Sequence, residues 1–342
     1  MKQRLLIFIV TLLPITTNAQ FGNSLSTDGV QDYIIVPDNN AIDLIDNFTI
    51  ECWIQTRRDD NNNLVLFRKG WCSGGDNSYY LSVQNGIVKW HWNSSGDCNY
   101  PHSYETIDPV VFAGVCTHLT IVHSSSEIKI YVNNVLVPGI LTNGNYSTVN
   151  NSSEQLDIGA YRNLSGSYSS YYWGTIDELR FWNYRLTEQE IIDYSNAPLT
   201  GTEPGLVAYF DMEDTGQGTS LTITNKATVS GSIIGQAFGS SISPQFVSSC
   251  IVLSNTDNVV TNPDIHIFPN LTENIITINI DKSIHKNILV ELINIYGRML
   301  ESQAYNSKKI KFDISKYNSG LYFLRVIDNK GFVLKIEKIF KK

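Results

Sequence analysis

Short runs of alternating apolar and polar residues, separated by turn residues, recur along most of the chain. The run at 173–182 shows the pattern well, and a period of two predicts a strand with two different faces. One face is predicted to carry Asp177, Leu179 and Phe181, and the other Glu178, Arg180 and Trp182. An apolar face opposite a mostly polar one is what a strand of a two-sheet sandwich requires. Thr187 and Glu190 then have the spacing of a capping box, which predicts a short helix over 187–194.

Turn residues mark the ends of the other predicted strands. Asp28-Gly29 predicts a turn, Asn85-Gly86 a two-residue hairpin and Asn133-Asn134 another tight turn. Within 24–38 an alternating strand is predicted after the Asp28-Gly29 turn, and further strands are predicted at 48–56, 64–70, 79–83, 87–92, 116–123, 127–137 (with its tight turn) and 155–161, with more strand material at 204–225. Many short strands with regular turn signals predict an all-β sandwich.

The N-terminus has the pattern of a secretory signal peptide. Lys2 and Arg4 precede an apolar run from Leu5 to Pro14, and a small residue, Ala19, closes the segment. We therefore expect residues 1–19 to be removed by cleavage after Ala19. This apolar run is shorter than the roughly 20 residues of a membrane helix, and no later run approaches that length, so no transmembrane segment is expected.

Charge is distributed unevenly between two parts of the chain. Residues 21–261 carry 10 Lys and Arg against 25 Asp and Glu, whereas residues 262–342 carry 13 against 8. An acidic body argues against a nucleic-acid partner, and the change of sign marks a domain boundary. Residues 249–262 are polar and turn-rich and are predicted to be a linker. The predicted domains are thus 20–248 and 263–342.

The ordered motifs of the first domain resemble a LamG-like, concanavalin A-like jelly-roll domain. They are DGVQDYIIVPD, FTIECWIQ, THLTIVH, IKIYVNNVLV, LDIGAY and GTIDELRFWNYRLTEQEI. The stretch EPGLVAYFDMEDTGQGTSL looks like the segment that often follows such domains in Bacteroidetes surface proteins. The resemblance covers roughly 24–240 and implies a two-sheet jelly-roll sandwich. One departure is Cys116, which stands where the family often has Trp before the THLTIV-like strand.

The second domain is similar to the C-terminal sorting domain of the type IX secretion system. Phe268-Pro269-Asn270, Tyr296-Gly297-Arg298 and Ser319-Gly320-Leu321-Tyr322 stand where that family's patterns fall, and the basic tail fits as well. The resemblance implies a small Ig-like β-sandwich that engages the secretion machinery. It also implies a secreted or outer-membrane cell-surface protein. An ordinary small Ig-like module is the alternative.

Five cysteines in an exported chain suggest disulfides. Cys72 and Cys98 lie almost equally far from the Asn85-Gly86 turn, so antiparallel pairing would bring them nearly opposite each other. Such a bridge would stabilise the fold by roughly 3–4 kcal/mol. Cys52 is either a buried free thiol or a partner of Cys116, and Cys250 is left over near the linker.

No motif of the sequence predicts catalysis. Concanavalin A-like folds include glycoside hydrolases, but their closely spaced carboxylates on one strand face are absent here. On the predicted faces Asp177 and Glu178 point in opposite directions. No G-x-S-x-G, H-E-x-x-H or phosphate-binding glycine loop is present, and the six histidines are scattered. We therefore expect a non-catalytic protein.

Two aspartates suggest a calcium site as one hypothesis. Asp28 lies at the first turn and Asp177 at the start of a late strand, so they would be neighbours if these strands pair. Carboxylates mixed with backbone carbonyls suit this hard cation, and the family resemblance implies a structural calcium at the sandwich edge. In the alternative reading Asp28 caps its turn, and Asp177 accepts backbone hydrogen bonds.

Aromatic residues give the most suggestive functional surface. Around the predicted hairpin lie Trp71, Trp90, Trp92, Tyr100, His102 and Tyr104, and a second loop carries Tyr168, Tyr171, Tyr172 and Trp173. Aromatic rings stack on the C–H faces of sugars, so we take Trp71, Trp92, Tyr100 and Tyr104 as candidate ligand-binding residues. Trp90 and Trp92 share a strand face with Val88, which makes a core position the alternative for both.

These observations predict an exported, lectin-like module that binds a carbohydrate or a surface glycan. A structural or adhesive protein that contacts another surface protein is the rival hypothesis, and a glycan-cleaving enzyme is the less favoured one. The position of the loop aromatics distinguishes a ligand-binding role from a packing role. Rings that form one open platform can bind a ligand, whereas buried rings stabilise the core.

Overall fold

The computed structural model describes residues 22–58, 61–71, 76–97, 101–249, 265–280, 288–294, 299–327 and 333–342. The predictions about the signal peptide, Tyr100, Cys72, Cys98 and Cys250 lie outside these residues. Among the described residues, no helix is both long and apolar enough to cross a membrane.

The first part of the chain folds into strands and a single described α-helix. In chain order they are β1 (Asn23–Asp28), β2 (Tyr33–Val36), β3 (Phe48–Thr56), β4 (Leu64–Trp71), β5 (Asp76–Gln84), β6 (Ile87–Trp92), β7 (His102–Thr106), β8 (Thr117–Ser124), β9 (Glu127–Val132), β10 (Val135–Val137), β11 (Gly139–Asn143), β12 (Leu156–Ile158), β13 (Tyr161–Arg162), β14 (Tyr168–Ser169), β15 (Trp173–Trp182), α1 (Glu188–Ser195), β16 (Leu206–Phe210), β17 (Thr222–Thr224), β18 (Ile234–Phe238) and β19 (Gln245–Ser248). Short 3₁₀ turns lie at Asn40–Ile42, Gly218–Ser220 and Thr228–Ser230.

These strands form the two sheets of a sandwich, which confirms the predicted all-β, concanavalin A-like fold. The eight-stranded sheet has the order β10-β9-β8-β3-β15-β1-β19, with β16 also paired to β15. The nine-stranded sheet has the order β11-β7-β6-β5-β4-β12-β2-β18-β17. The predicted hairpin joins β5 to β6, and Asn85 and Gly86 have φ values of 52° and 74°. Both residues are left-handed, as a two-residue hairpin turn requires.

The core lies between the inner faces of the two sheets. Phe48 and Ile50 from the first sheet and Phe67, Leu81 and Trp90 from the second belong to one buried apolar cluster. Burial of these faces fixes the register of every strand, since a shift by one residue would turn the apolar set to the solvent.

A β-bulge in β15 corrects the predicted faces of that strand. Asp177 lies opposite Trp53 and Arg180 opposite Glu51, so one extra residue is inserted in β15. Glu178 has a φ of 51°, a left-handed conformation typical of such a bulge. The residues of β15 that join the core are Ile176, Leu179 and Phe181. Asp177 therefore does not share a face with Leu179 and Phe181. It lies on the outer face together with Glu178.

The helix α1 begins where the capping box predicts. The Thr187 side chain accepts a hydrogen bond from the Glu190 backbone, and the Glu190 side chain accepts one from the Thr187 backbone. Ile191 from this helix packs with Trp182 and Tyr209 in a second apolar cluster. The helix therefore covers part of the outer face of the eight-stranded sheet.

The second part of the chain folds into two further sheets. Its strands are β20 (Ile265–Phe268), β21 (Leu271–Thr272), β22 (Ile275–Ile280), β23 (Ile288–Asn294), β24 (Met299–Tyr305), β25 (Lys309–Asp313), β26 (Gly320–Ile327) and β27 (Val333–Lys341). The sheet orders are β20-β22-β25 and β21-β27-β26-β23-β24. A separate apolar cluster, which includes Ile278, Leu292 and Leu324, lies within this part. The immunoglobulin-like assignment stays a prediction.

Cys52 is a buried, free thiol. It points into the core with Ile50 and Ile54, and burial raises the pKa of its thiol well above the usual range. Cys116 is disulfide-bonded, so the pairing of Cys52 with Cys116 that the sequence left open does not occur.

Candidate functional site

The β13–β14 hairpin lies over the outer face of the nine-stranded sheet and contacts the end of β4. Its turn is fixed by Asn163, whose side-chain oxygen accepts hydrogen bonds from the backbone of Ser165 and Ser167, both at 3.0 Å. Trp71 at the end of β4 donates its indole N–H to the Asn163 carbonyl over 2.9 Å. The Arg162 guanidinium lies 4.6 Å from the centre of the Trp71 ring. The predicted ligand residue Trp71 is thus half-buried and held against the hairpin.

A stack of aromatic rings extends from the hairpin across β2. The Tyr33 and Tyr168 rings are stacked with their centres 3.8 Å apart. Tyr33 also stacks on a second ring, that of Phe238, with ring centres 5.1 Å apart. The Phe238 side chain is 37% exposed. Tyr171 lies close by, with its ring centre 6.4 Å from that of Tyr33. Part of the stack is preorganised because Tyr33 and Phe238 are cross-strand partners on the neighbouring strands β2 and β18.

A second group of rings lies on the other side of the hairpin. The Tyr161 ring covers the Arg68 guanidinium at 3.9 Å and meets the Tyr80 ring edge-on at 5.9 Å. Tyr80 stacks in turn on His91 at 4.1 Å. Burial lowers the pKa of His91 to about 4, so this imidazole is neutral at pH 7. We call the half-buried residues Tyr33, Trp71, Tyr80, Tyr161 and Tyr168 the hairpin platform.

Buried charged groups lie beneath the hairpin platform. Asp157 on β12 is fully buried and accepts hydrogen bonds from Gln155 at 2.5 Å and from the Tyr168 hydroxyl at 3.1 Å. Burial raises the pKa of this carboxyl to about 6. Its other oxygen has no hydrogen-bond partner and lies 3.9 Å from Nε of Arg162. Arg162 also donates to Glu154 over 2.5 Å.

The fully buried Arg68 ties the hairpin to the sheet. It donates to the Arg162 carbonyl and, over 2.8 Å, to the Asn77 side chain. The hairpin is therefore held on the sheet by this guanidinium and by the ring contacts of its own Tyr161 and Tyr168. Five residues of this region were not predicted from the sequence: Tyr33, Arg68, Tyr80, Asp157 and Tyr161. The turn residues of 163–166 between two tyrosine-bearing strands were the signal that could have found the hairpin.

The structure corrects the assignment of Trp92 as a ligand-binding residue. Trp92 is fully buried in the core. Its indole N–H donates to the Ser147 hydroxyl over 2.9 Å, and its ring stacks on His102 at 5.2 Å. Its position in β6 places it on the inner face with Trp90, so no ligand can stack on it. Tyr100, the third predicted ligand residue, lies outside the described residues.

Tyr104 lies away from the hairpin platform. It belongs to β7, and both β5 and β6 lie between that strand and β4. Tyr104 lines a surface groove of about 360 Å³ together with Leu136, Val137, Glu127 and Lys129. The two charged residues are paired at 3.4 Å. The structure thus does not bring Trp71 and Tyr104 into one site, because they lie on different parts of the sheet.

The two aspartates of the predicted calcium site do not come together either. β1 and β15 do pair, as that prediction required, but Asp28 lies opposite Trp173 and Leu25 opposite Ile176. Asp28 and Asp177 are therefore separated along the ladder by about four residues, or roughly 13 Å at the usual rise of a strand. Asp28 accepts hydrogen bonds from the backbone of the three residues Val30, Gln31 and Asp32.

Asp177 is almost fully buried and has protein partners on both oxygens. It accepts from the Glu178 backbone over 2.9 Å and from the Ser249 hydroxyl over 2.5 Å. Among the described residues, no group of three or more His, Cys, Asp or Glu side chains could hold a metal. These contacts match the hydrogen-bonding alternative for both aspartates, and calcium binding stays a prediction.

The other buried carboxylates form a network under the helix. Glu178 is paired with Arg180 and accepts from the Tyr209 hydroxyl over 2.8 Å. Glu51 accepts from the Trp182 indole over 2.9 Å. Burial raises the pKa of Glu51 to about 7. Every side chain of this network is buried below α1 or in the sheet, so a substrate has no access to it in this structure.

Both parts of the chain match family models. Residues 28–192 match the family model described as the concanavalin A-like lectin/glucanases superfamily. Residues 266–342 match the model of a secretion system C-terminal sorting domain. No curated protein sequence matches the chain.

Several solved structures are similar. They include a "putative carbohydrate binding protein" from Bacteroides ovatus (16% identity, 69% of this chain and 62% of that chain, TM-score 0.48), a SAP-like pentraxin from Limulus polyphemus (15%, 63% and 95%, 0.42) and the CBM40 of a Ruminococcus gnavus IT-sialidase bound to α2,3 sialyllactose (14%, 51% and 97%, 0.39). The chain thus spans 62% of the length of the Bacteroides ovatus protein.

Proposed function

The chain joins a member of the concanavalin A-like lectin/glucanase superfamily at residues 28–192 to a secretion system C-terminal sorting domain at residues 266–342, and from this premise we propose that it is an exported, non-catalytic carbohydrate-binding protein. The hairpin platform carries this proposal. Its rings are half-buried and fixed by stacking, and polar groups lie directly beside them.

Sugars need such a combination of surfaces. A pyranose ring presents a C–H face that stacks on an aromatic ring, and its hydroxyls need fixed donors and acceptors at the rim. Trp71 supplies an aromatic face and the stack of Tyr33 and Tyr168 supplies an apolar edge, while Glu154 and Arg162 supply an acceptor and a donor beside them. A ring that is already stacked loses little conformational freedom on binding, so more of the contact energy appears as affinity.

Truncation of the platform rings tests this proposal. Trp71→Ala and Tyr33→Ala should each weaken glycan binding by roughly tenfold or more, because truncated aromatic anchors usually cost over 1 kcal/mol. Binding is measured on a glycan array and then by calorimetry with the best oligosaccharide found. Melting curves must show that both variants stay folded.

Tyr146→Ala is the matched control. Tyr146 is 38% exposed and lies beside Tyr104, with ring centres 6.5 Å apart, outside the hairpin platform. We expect wild-type binding from this variant. The opposite result is loss of glycan binding in Tyr146→Ala with normal binding in Trp71→Ala and Tyr33→Ala. It would place the glycan-binding site in the Tyr104 groove. If wild type retains no glycan, the structural or adhesive hypothesis leads.

The sorting domain gives a prediction about export. A chain that lacks residues 263–342 should fold its sandwich but accumulate in the periplasm, because the signal that the secretion machinery reads is missing. Cell fractionation and surface labelling measure its location. A truncated chain that reaches the surface or the medium at the wild-type level would show that the second domain has another role.

A further inference from the structure

The charges around the hairpin platform bear on the class of glycan that it accepts, an inference that rests on the proposed function. Each described cation near the rings has an anionic or polar partner. Arg162 is paired with Glu154 at 2.5 Å and has Asp157 at 3.9 Å, so two carboxylates face one guanidinium. Lys89, farther along the same face, is paired with Glu105 at 3.3 Å.

Arg68 adds no accessible charge to this surface. It is fully buried under Tyr161, and its guanidinium donates to a carbonyl and an amide oxygen. His91 is neutral at pH 7 because burial lowers its pKa. An acidic sugar needs a cation with donors left over for its carboxylate, since charge-assisted hydrogen bonds supply that recognition. Here the exposed part of Arg162 is already neutralised by Glu154.

The negative electrostatic potential of the first domain also disfavours acidic glycans. Residues 21–261 carry 25 Asp and Glu against 10 Lys and Arg, so an anionic ligand approaches against an overall negative potential. We infer that the hairpin platform selects neutral glycans over acidic ones, and that Glu154 is the residue that sets this selection by neutralising Arg162. Neutral hydroxyls can still use the carboxylate and the guanidinium as acceptor and donor.

The test measures a ratio rather than a single affinity. The full exported chain is applied to an array in which each uronate- or sialate-terminated oligosaccharide is paired with its neutral counterpart. Wild type should retain the neutral member of each pair. Glu154→Gln keeps an acceptor for Arg162 but removes the charge, and should raise the acidic-to-neutral ratio about three- to tenfold.

Asp193→Asn is the matched control, because it removes the same charge from an exposed position on α1, where the carboxylate meets only Gln189 at 2.8 Å. Its ratio should equal that of wild type. Preferential retention of acidic glycans by wild type would overturn the inference and leave the proposed function standing. An equal rise of the ratio in both variants would assign the effect to net charge and overturn the role of Glu154. No retention of any glycan would overturn both proposals.

Discussion

Trp92→Ala is expected to lower the free energy of unfolding of the sandwich domain by about 3–5 kcal/mol, the usual cost of truncating a core aromatic ring. The ring is fully buried between the sheets and touches His102 and His123, with ring centres at 5.2 and 5.3 Å. Truncation leaves a cavity, and it also leaves the Ser147 hydroxyl without its indole donor. Urea denaturation followed by fluorescence measures the change.

Trp173→Ala is the control for this prediction. Trp173 is 36% exposed at the start of β15, so its truncation leaves no enclosed cavity. We expect a loss of less than about 1 kcal/mol from this surface substitution. If Trp92→Ala were as stable as wild type but failed to bind glycan, Trp92 would be a ligand-binding residue after all.

The two tryptophans also show what the sequence could decide. Alternation within β6 places Trp90, Trp92 and Val88 on one face, but it does not say which face meets the other sheet. That depends on the register of β6 against β5 and β7, a tertiary property. Local signals were sufficient elsewhere, since the Asn85-Gly86 turn and the Thr187 capping box depend on a few neighbouring residues.

The bulge in β15 shows why the predicted faces of one strand were wrong. A period of two assumes a regular strand, and Glu178 interrupts it with a left-handed backbone at a residue that carries no local signal for one. Its conformation is held by side-chain contacts on the outer face, with Arg180 two residues on and with Tyr209 on the distant strand β16. The bulge therefore follows from the assembled sheet and could not be read from the sequence of the strand.

The hairpin platform was only partly predictable for a similar reason. Trp71 was identified from its place near a turn, and it does lie in the platform. Tyr33 on β2 and Tyr168 on β14 are far apart in the sequence and meet because the β13–β14 hairpin follows β12, which is the neighbour of β2 in the assembled sheet. An aromatic site made from distant strands leaves no motif in either strand, whereas the two families were recognisable from ordered motifs along the chain.

The buried carboxyl of Asp177 should make stability depend on pH in a way that Asp177→Asn removes. Burial, together with the nearby charges of Glu178 and Glu213, raises the pKa of this group to about 8. The folded state therefore binds the proton more tightly than the unfolded state, whose pKa is near 3.8. The contribution of this group to stability is complete below about pH 4 and is lost as the pH rises through 8.

We expect Asp177→Asn to gain stability over wild type progressively between pH 4 and pH 8, with a constant gap above that range. Four pKa units correspond to about 5 kcal/mol, which is the upper bound for this gap. Urea denaturation at pH 5, 7 and 9 in the presence of chelator measures it. A gap of the same size at pH 5 and pH 9 would contradict a buried, proton-binding Asp177.

The same denaturation series with added calcium tests the metal prediction for this residue. A cation that binds only the folded state adds RT ln(1 + [L]/Kd) to the free energy of unfolding. If Asp177 is a ligand, calcium should stabilise wild type most at pH 9, where the metal does not compete with a proton. Asp177→Asn should then lose that response. Equal curves with chelator and with calcium would leave the Glu178 backbone and Ser249 as its partners.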